Sequence, residues 1–331
     1  MKSGSQSVIE EILTNLFRIE IPLPGNPLKS LNSYVMRAAD RNLIIDTGFN
    51  RRECFRAMQV GLRELDVDLG RTDFLITHLH ADHFGLVTKL LTDTSKIYFN
   101  QPDAELIEDW SGWEPMIRYA SMSGFPEYEL QAALENHPGY KYRPERIPEL
   151  NIIGDGNTIR IGDYLFRCVE TPGHTKGHTC LYEPSKKILI SGDHILNDIT
   201  PNIQCWSDLE NSLEDYLASL DKVYDLEVDL VLPGHRDLFR NHKQRIEELK
   251  LHHLKRVDEI ILILSKGSRS AFQVASEMTW DINHASWDQF PVAQKWFATG
   301  EAIAHLRYLE EKGLVFRETK APMVTYSQRH D

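Results

Sequence analysis

The sequence predicts an α/β protein, a four-layer αββα sandwich with a helical insertion and a small, mostly helical C-terminal part. Three observations lead there. Apolar runs of strand length recur in two blocks, about residues 15–100 and 151–235, each interleaved with helix-like stretches. Several runs end in a Gly-containing turn that carries His or Asp, which gathers polar chemistry at one edge of the sheets. Beyond His235 the strand rhythm stops and helical spacing takes over.

In order along the chain, residues 17–21 and 33–36 alternate as strands and residues 43–45 form a short buried run. Residues 52–65 read as a helix, 73–76 as a buried strand, 84–91 as the start of a helix and 96–99 as a strand. The pattern breaks over residues 101–150, which are rich in aromatics, Trp110, Trp113, Tyr119 and Phe125 among them, and hold ten acidic against four basic side chains. Helical spacing is present at 105–109 and 128–135, either side of a Gly124-Phe125-Pro126 turn. Strands resume near Asn151, and residues 180–190 form a hairpin turned at Pro184-Ser185. Ser207 to Glu210 has capping-box spacing, ahead of a helical face of Leu209, Leu213, Leu217 and Leu220. In the tail, residues 244–265 are helical, with apolar positions that include Ile246, Leu249, Leu254 and Val257 and a stop at Gly267. Helices at 270–280 and 300–312 and two short strands at 313–317 and 323–326 complete the chain.

The 331 residues suffice for two domains, read as 1–240, with 101–150 inserted, and 241–331. Hydrophobic content of 41% and charged content of 26% are those of an ordinary globular protein. The net charge of −12 disfavours nucleic acid and anionic membranes as partners. No run approaches the roughly 18 apolar residues of a membrane span, and Met1 to Glu11 lacks a secretory apolar core. Cys54, Cys168, Cys180 and Cys205 form no C-x-x-C pair; buried free thiols and a reducing cytoplasm are expected.

The chemistry is concentrated after the strand at 73–76, in Thr77-His78-Leu79-His80-Ala81-Asp82-His83. Three imidazoles and a carboxylate within six residues are hard to explain as packing and suit Zn(II) and similar ions where thiolates are absent. Downstream, Thr171-Pro172-Gly173-His174-Thr175-Lys176-Gly177-His178, Ser191-Gly192-Asp193-His194 and Pro233-Gly234-His235 each follow an apolar run.

This order of motifs, over about residues 15–240, resembles the metallo-β-lactamase-fold hydrolase superfamily. The resemblance implies one metal ion on His78, His80 and His174 and a second on Asp82, His83 and His235, with Asp193 bridging both. It implies that Asp46, in Ile45-Asp46-Thr47-Gly48, positions the metal loop from outside the ligand set. His80 stands where flavodiiron oxygen reductases carry Glu, which argues against that branch. It also gives the 101–150 insertion a role as a cover over the cleft, weighed against a helical excursion packed on its own side of the sheet. The tail resembles the winged-helix appendage of some members, but residues 265–331 balance eight basic with eight acidic side chains. It is therefore read as a packing or dimerising domain, with a homodimer in view.

The expected cofactors are two divalent ions, zinc first, with iron or manganese as the alternatives. The expected reaction is hydrolysis of a small ester, thioester or lactone by a hydroxide held between the ions. Asp82 would orient its proton, and His194 is a candidate proton donor to the leaving group, weighed against a structural histidine. His178 is expected to hold a metal loop. His242, His252, His253, His284, His305 and His330 are expected to face solvent. Two other readings use the same motifs. A phosphodiesterase or nuclease needs a basic track that the sequence lacks, and a mononuclear-iron sulfur dioxygenase needs only the first three-ligand site. Part of the set Trp110, Trp113, Tyr119 and Trp206, with residues of the helical tail, is expected to supply the apolar wall that selects a small-molecule substrate.

Overall fold

A computed structural model of the chain describes residues 9–108, 112–281, 286–320 and 322–329. Seven strands form the first sheet in sequence order: β1 (Ile9–Leu13), β2 (Leu16–Pro22), β3 (Ser30–Met36), β4 (Asn42–Ile45), β5 (Thr72–Leu75), β6 (Ile97–Asn100) and β7 (Asn151–Ile153). β1 to β4 pair antiparallel, whereas β4 to β7 pair parallel. The second sheet has β8 (Thr158–Ile161), β9 (Tyr164–Glu170), β10 (Thr179–Glu183), β11 (Ile188–Gly192) and β12 (Leu230–Pro233), in the order β12-β11-β10-β9-β8. Only β11 and β12 pair parallel there.

Parallel pairing needs crossovers, and the helices supply them. They are α1 (Arg52–Glu64), the one-turn α2 (Ala81–Phe84), α3 (Gln101–Glu108), α4 (Glu114–Met122), α5 (Glu127–Asn136), α6 (Pro138–Lys141) and α7 (Ser212–Tyr224). Then follow α8 (His242–Leu264), α9 (Ala271–Glu277), α10 (Val292–Glu311) and the hairpin β13 (Val315–Lys320) and β14 (Met323–Gln328).

Three large buried clusters give the layering. Leu16, Tyr34, Leu43 and Leu75 of the first sheet pack against Phe166, Leu181, Ile190 and Leu232 of the second. The outer face of the first sheet (Ile19, Ile44, Phe74) packs against Met58 and Leu62 of α1. The outer face of the second (Val169, Cys180, Leu189) packs against Leu213 and Leu220 of α7, Ile246 and Ile260 of α8 and Ile303 of α10. The order is helices, sheet, sheet, helices. Burial on both faces explains why β4 and β11 are apolar at nearly every position.

Several local expectations change. The helix expected at 84–91 is instead α2 followed by a 3-10 turn at Val87–Lys89. Gly85 packs so tightly on the carbonyls of Ala81 and Tyr142 that a side chain has no room there. The cap of α7 is Asn211, whose Oδ1 accepts the Glu214 amide at 3.3 Å, rather than the Ser207 box. Leu209 consequently lies outside the helix and is exposed. Leu254 on α8 is also exposed, since His253 takes the inward position. α10 starts at Val292, about two turns before Gly300, where the spacing predicts its start. Gly300 is interior because a Cβ there would lie 2.9 Å from the Trp206 ring. The tail is not a separately cored unit. Its Ile260, Ala275, Leu306 and Tyr326 belong to the same cluster as the second sheet.

Among the described residues no helix is long and apolar enough to cross a membrane. All four cysteines are free and buried, as the sequence predicts.

Candidate metal centre

Strands of both sheets deliver their C-terminal ends to one edge. β4 runs into Asp46, β5 into His78 and His80, β9 into His174, β11 into Asp193 and β12 into His235. The halves are stitched there by the Asn32 amide donating to Gly234 O (2.7 Å), the Tyr34 hydroxyl to Pro233 O (2.7 Å) and the Thr179 amide to Thr77 O (2.9 Å). At that edge seven side chains converge. His78, His80 and His174 bring one ligand atom each to within 4.8 Å of one another, and so do Asp82, His83 and His235. Asp193 lies between the triads, with Oδ1 3.5 Å from His83 Nε2 and Oδ2 3.6 Å from His174 Nε2 and 3.4 Å from His235 Nε2. The structure thus brings together every residue that the motifs single out as a ligand. Glycine is required beside them: a Cβ on Gly192 (φ 48°) would meet His178 Nε2 at 2.7 Å, and one on Gly234 would meet Asp193 Oδ1 at 2.5 Å.

Each imidazole is aimed by what holds its other nitrogen. His83 Nδ1 donates to Asp46 Oδ2 at 2.8 Å, His174 Nδ1 to Asn202 O at 2.9 Å and His235 Nδ1 to Ser30 O at 2.7 Å. Their Nε2 atoms, together with Asp193 Oδ1, are buried without a hydrogen-bond partner among the described residues. Orphaned buried nitrogens and a carboxylate oxygen are costly unless something else binds them. Imidazole and carboxylate are donors that Zn(II), Fe(II) and Mn(II) accept, so the residues present fit a pair of divalent ions.

The titration pattern agrees. Burial, reinforced by the neighbouring rings, pushes His78 well below its ordinary value, and His80 is lowered to about 3 for the same reason. Burial also lowers His174. These three rings are neutral and free to donate a lone pair. His83 and His235 behave oppositely: burial disfavours their charge, but Asp46 and Asp193 raise His83, and Asp193 with Asp82 raises His235 to about 10. Burial alone would raise Asp82, yet His235, with Nε2 3.3 Å from Asp82 Oδ2, and His83 together outweigh it and bring Asp82 down to about 2. Proton charge on two rings stands here in the place of cation charge.

Three buried residues brace the ligand loops. Asp46 has φ 58°, a strained backbone for a residue with a side chain. Its carboxylate accepts the Thr77 amide and hydroxyl, both at 2.9 Å, besides His83. His178 Nε2 accepts the Asp193 amide at 3.1 Å and its Nδ1 lies 2.8 Å from Thr171 Oγ1, so it carries the Asp193 loop as expected. Sequence reasoning missed Asp103. Its carboxylate accepts the Leu79 amide (2.9 Å), the Thr175 hydroxyl (2.9 Å) and the Gly177 amide (2.6 Å), joining the first ligand loop to the second. Its available signal was an Asp at the first turn of a helix that follows a buried strand, shortly after Asn100.

The centre opens into a cleft of about 2180 Å³, bordered by His80, Asp82, His174 and Asp193 and walled by the insertion and the tail. Trp113 and Met116 of the insertion, Trp206, and Phe297 of α10 line it, which fulfils the expectation of an apolar cover for Trp113 and Trp206. Tyr119 does not line it; the ring packs beside the second-sheet core and its hydroxyl donates to Asp208 at 2.7 Å. Trp110 lies outside the described residues, as do His284 and His330. His194 is corrected too. It is wholly buried against Tyr216 (ring centroids 5.4 Å), is not part of the cleft wall, and is pushed by burial down to about 3. A ring buried behind the cleft wall does not reach a leaving group in the cleft. His242, His253 and His305 are buried rather than solvent-facing, and His253 Nδ1 lies 3.1 Å from His305 Nε2.

The profile of the metallo-beta-lactamase superfamily matches residues 27–235, which contain all seven converging side chains. The chain belongs to that superfamily. A metallo-beta-lactamase family protein from Thermus thermophilus has the same fold over 96% of this chain and 100% of its own, with TM-score 0.81 and 27% identity. Human acyl-coenzyme A thioesterase MBLAC2 is 25% identical over 63% of this chain and 74% of that protein. The atrochrysone carboxyl ACP thioesterase of Aspergillus fumigatus is 25% identical over 76% of this chain and 66% of that protein. Membership of the superfamily, with two His/Asp triads that could each hold an ion, makes this chain a metal-dependent hydrolase.

Proposed function

We propose that this metallo-beta-lactamase-fold chain hydrolyses an acyl thioester, with zinc as its metal. The observation that carries the reading is the pair of triads sharing Asp193 at the floor of a cleft with aromatic walls. His78, His80 and His174 would hold one ion, Asp82, His83 and His235 the other, and Asp193 both. When bound, such ions supply Lewis acidity and lower the pKa of water enough for hydrolysis near neutral pH.

The chain's own groups do the rest. Asp82, ionised and on the cleft wall, accepts a hydrogen bond from a cleft water and turns its lone pair toward the substrate carbonyl. Trp113, Trp206 and Phe297 bind an apolar acyl group and exclude bulk water from it. With His194 withdrawn from the cleft, the leaving group favours sulfur. A thiol has a pKa of about 8.5, so a thiolate departs without a donor at its side. An alkoxide is far more basic and needs one. Two relatives whose names specify acyl-coenzyme A and acyl carrier protein thioesters support the same reading.

The test is a substrate screen with metal quantified. Zinc-loaded protein, assayed on acyl-coenzyme A esters of increasing chain length, simple lactones and bis-p-nitrophenyl phosphate, is expected to favour the thioesters. Activity confined to the phosphodiester would overturn the proposal. Binding of a single equivalent of metal would overturn the two-ion assignment and favour the one-ion dioxygenase reading.

A further inference from the structure

The loop that follows Asp193 carries a main-chain carbonyl, Asn202 O, that receives the Nδ1–H of His174. Such a carbonyl fixes the ring's tautomer and direction, so its own placement matters as much as the ring's. The loop has no regular structure over residues 198–206. What holds it comes from the tail. Arg245 of α8 donates from Nε to Leu196 O (2.8 Å) and from Nη2 to Ile199 O (2.9 Å). The Cys205 amide donates to Gly300 O of α10 at 3.2 Å. Closest to the ligand, Asn202 Nδ2 donates to Glu301 Oε2 at 2.7 Å. Glu301 is 7% exposed, and its other oxygen lies 3.6 Å from Arg256 Nη2. Arg256 is itself seated on the Trp280 ring (4.2 Å to the centroid) and paired with Glu259 at 3.1 Å.

A buried carboxylate on a one-point bond to a loop asparagine is an expensive arrangement if only packing were needed. We propose that Glu301 is a positioning residue for the first metal site, holding His174 on aim through Asn202. The tail is thereby part of the outer shell of the metal centre. This inference rests on the reading of His174 as a ligand.

The experiment uses the full chain, with zinc affinity measured by competition against a chromogenic chelator and the cobalt-substituted visible spectrum as a second readout. Glu301→Ala and Asn202→Ala should each weaken one of the two ions by about 10–100-fold, the cost typical of a lost outer-shell partner, and leave the other ion in place. The double variant should be no weaker than either single one, because both remove the same link. Glu301→Gln, which keeps an oxygen acceptor for Asn202, should recover most of the affinity. Asn202 is only half-buried, so Asn202→Ala carries the test where Glu301→Ala fails to fold. Wild-type affinity and an unchanged cobalt spectrum in Asn202→Ala would overturn the proposal, as would additive losses in the double variant. Failure of the wild-type chain to bind two ions would instead overturn the ligand assignment beneath it.

Discussion

Asp103 shows how one side chain can decide whether two loops form one site. It sits fully buried at the first turn of α3, with three donors converging on it from both ligand loops. Burial raises its carboxyl to about 6, against the hydrogen bonds, which lower it. A carboxyl whose folded pKa lies above its unfolded value of about 3.9 contributes stability in acid, and this is lost as pH rises through the folded pKa. Between pH 5 and pH 8 the metal-free protein should lose about 1 kcal/mol from this group. Asp103→Asn has no such titration, so urea unfolding of both proteins at the two pH values should show the variant gaining by that amount relative to wild type. At the ligands themselves, His80→Ala should abolish activity and reduce bound metal from two equivalents to about one. Retention of two ions, measured by elemental analysis, would refute the assignment of His80.

Among the elements, α10 and the insertion helices matter most, since they make a wall that the sheets do not provide. Trp206 stacks on Trp296 of α10 at 4.4 Å, and Gly300 leaves space for that ring. Gly300→Val should therefore cost about 2 kcal/mol through overpacking, and thermal unfolding should fall by several degrees. In the cover, Trp113 packs on His137 (ring centroids 4.9 Å) while facing the cleft. Trp113→Ala should leave metal content intact and lower kcat/KM for long acyl thioesters relative to acetyl by about tenfold, the worth of one to two apolar contacts. An unchanged ratio would remove Trp113 from the acyl wall.

For the whole molecule, the sequence boundary at residue 240 does not divide two cores. Val169 and Leu189 of the second sheet share one apolar cluster with Ile246, Ile260, Ile303 and Val324 beyond that boundary. A chain ending at Arg240 would keep α7 but strip the cluster of what α8, α9, α10 and the terminal hairpin bury, leaving an apolar patch exposed. Such a truncation should give no cooperative thermal transition, and circular dichroism would expose the error if it unfolded sharply.

Much of this was readable from residues alone, for a physical reason. A strand end followed by a glycine turn is a local arrangement, so each ligand run carries its geometry in a few adjacent positions; His78, His80, Asp82, His83, His174, Asp193 and His235 all met in space. The same locality explains the apolar strands, the hairpin at Pro184 and the helices of the tail. What the tertiary structure alone decided depends on contacts across long stretches of chain. Asp103 gains its role from Thr175 and Gly177, and Glu301 from Asn202, partners about 70 and 100 residues away. Whether His194 faces the cleft or Tyr216, and whether Tyr119 or Trp113 lines it, is likewise set by packing between layers. Helical spacing marks the tail as helix, but only the shared core shows that it packs as one body with the second sheet.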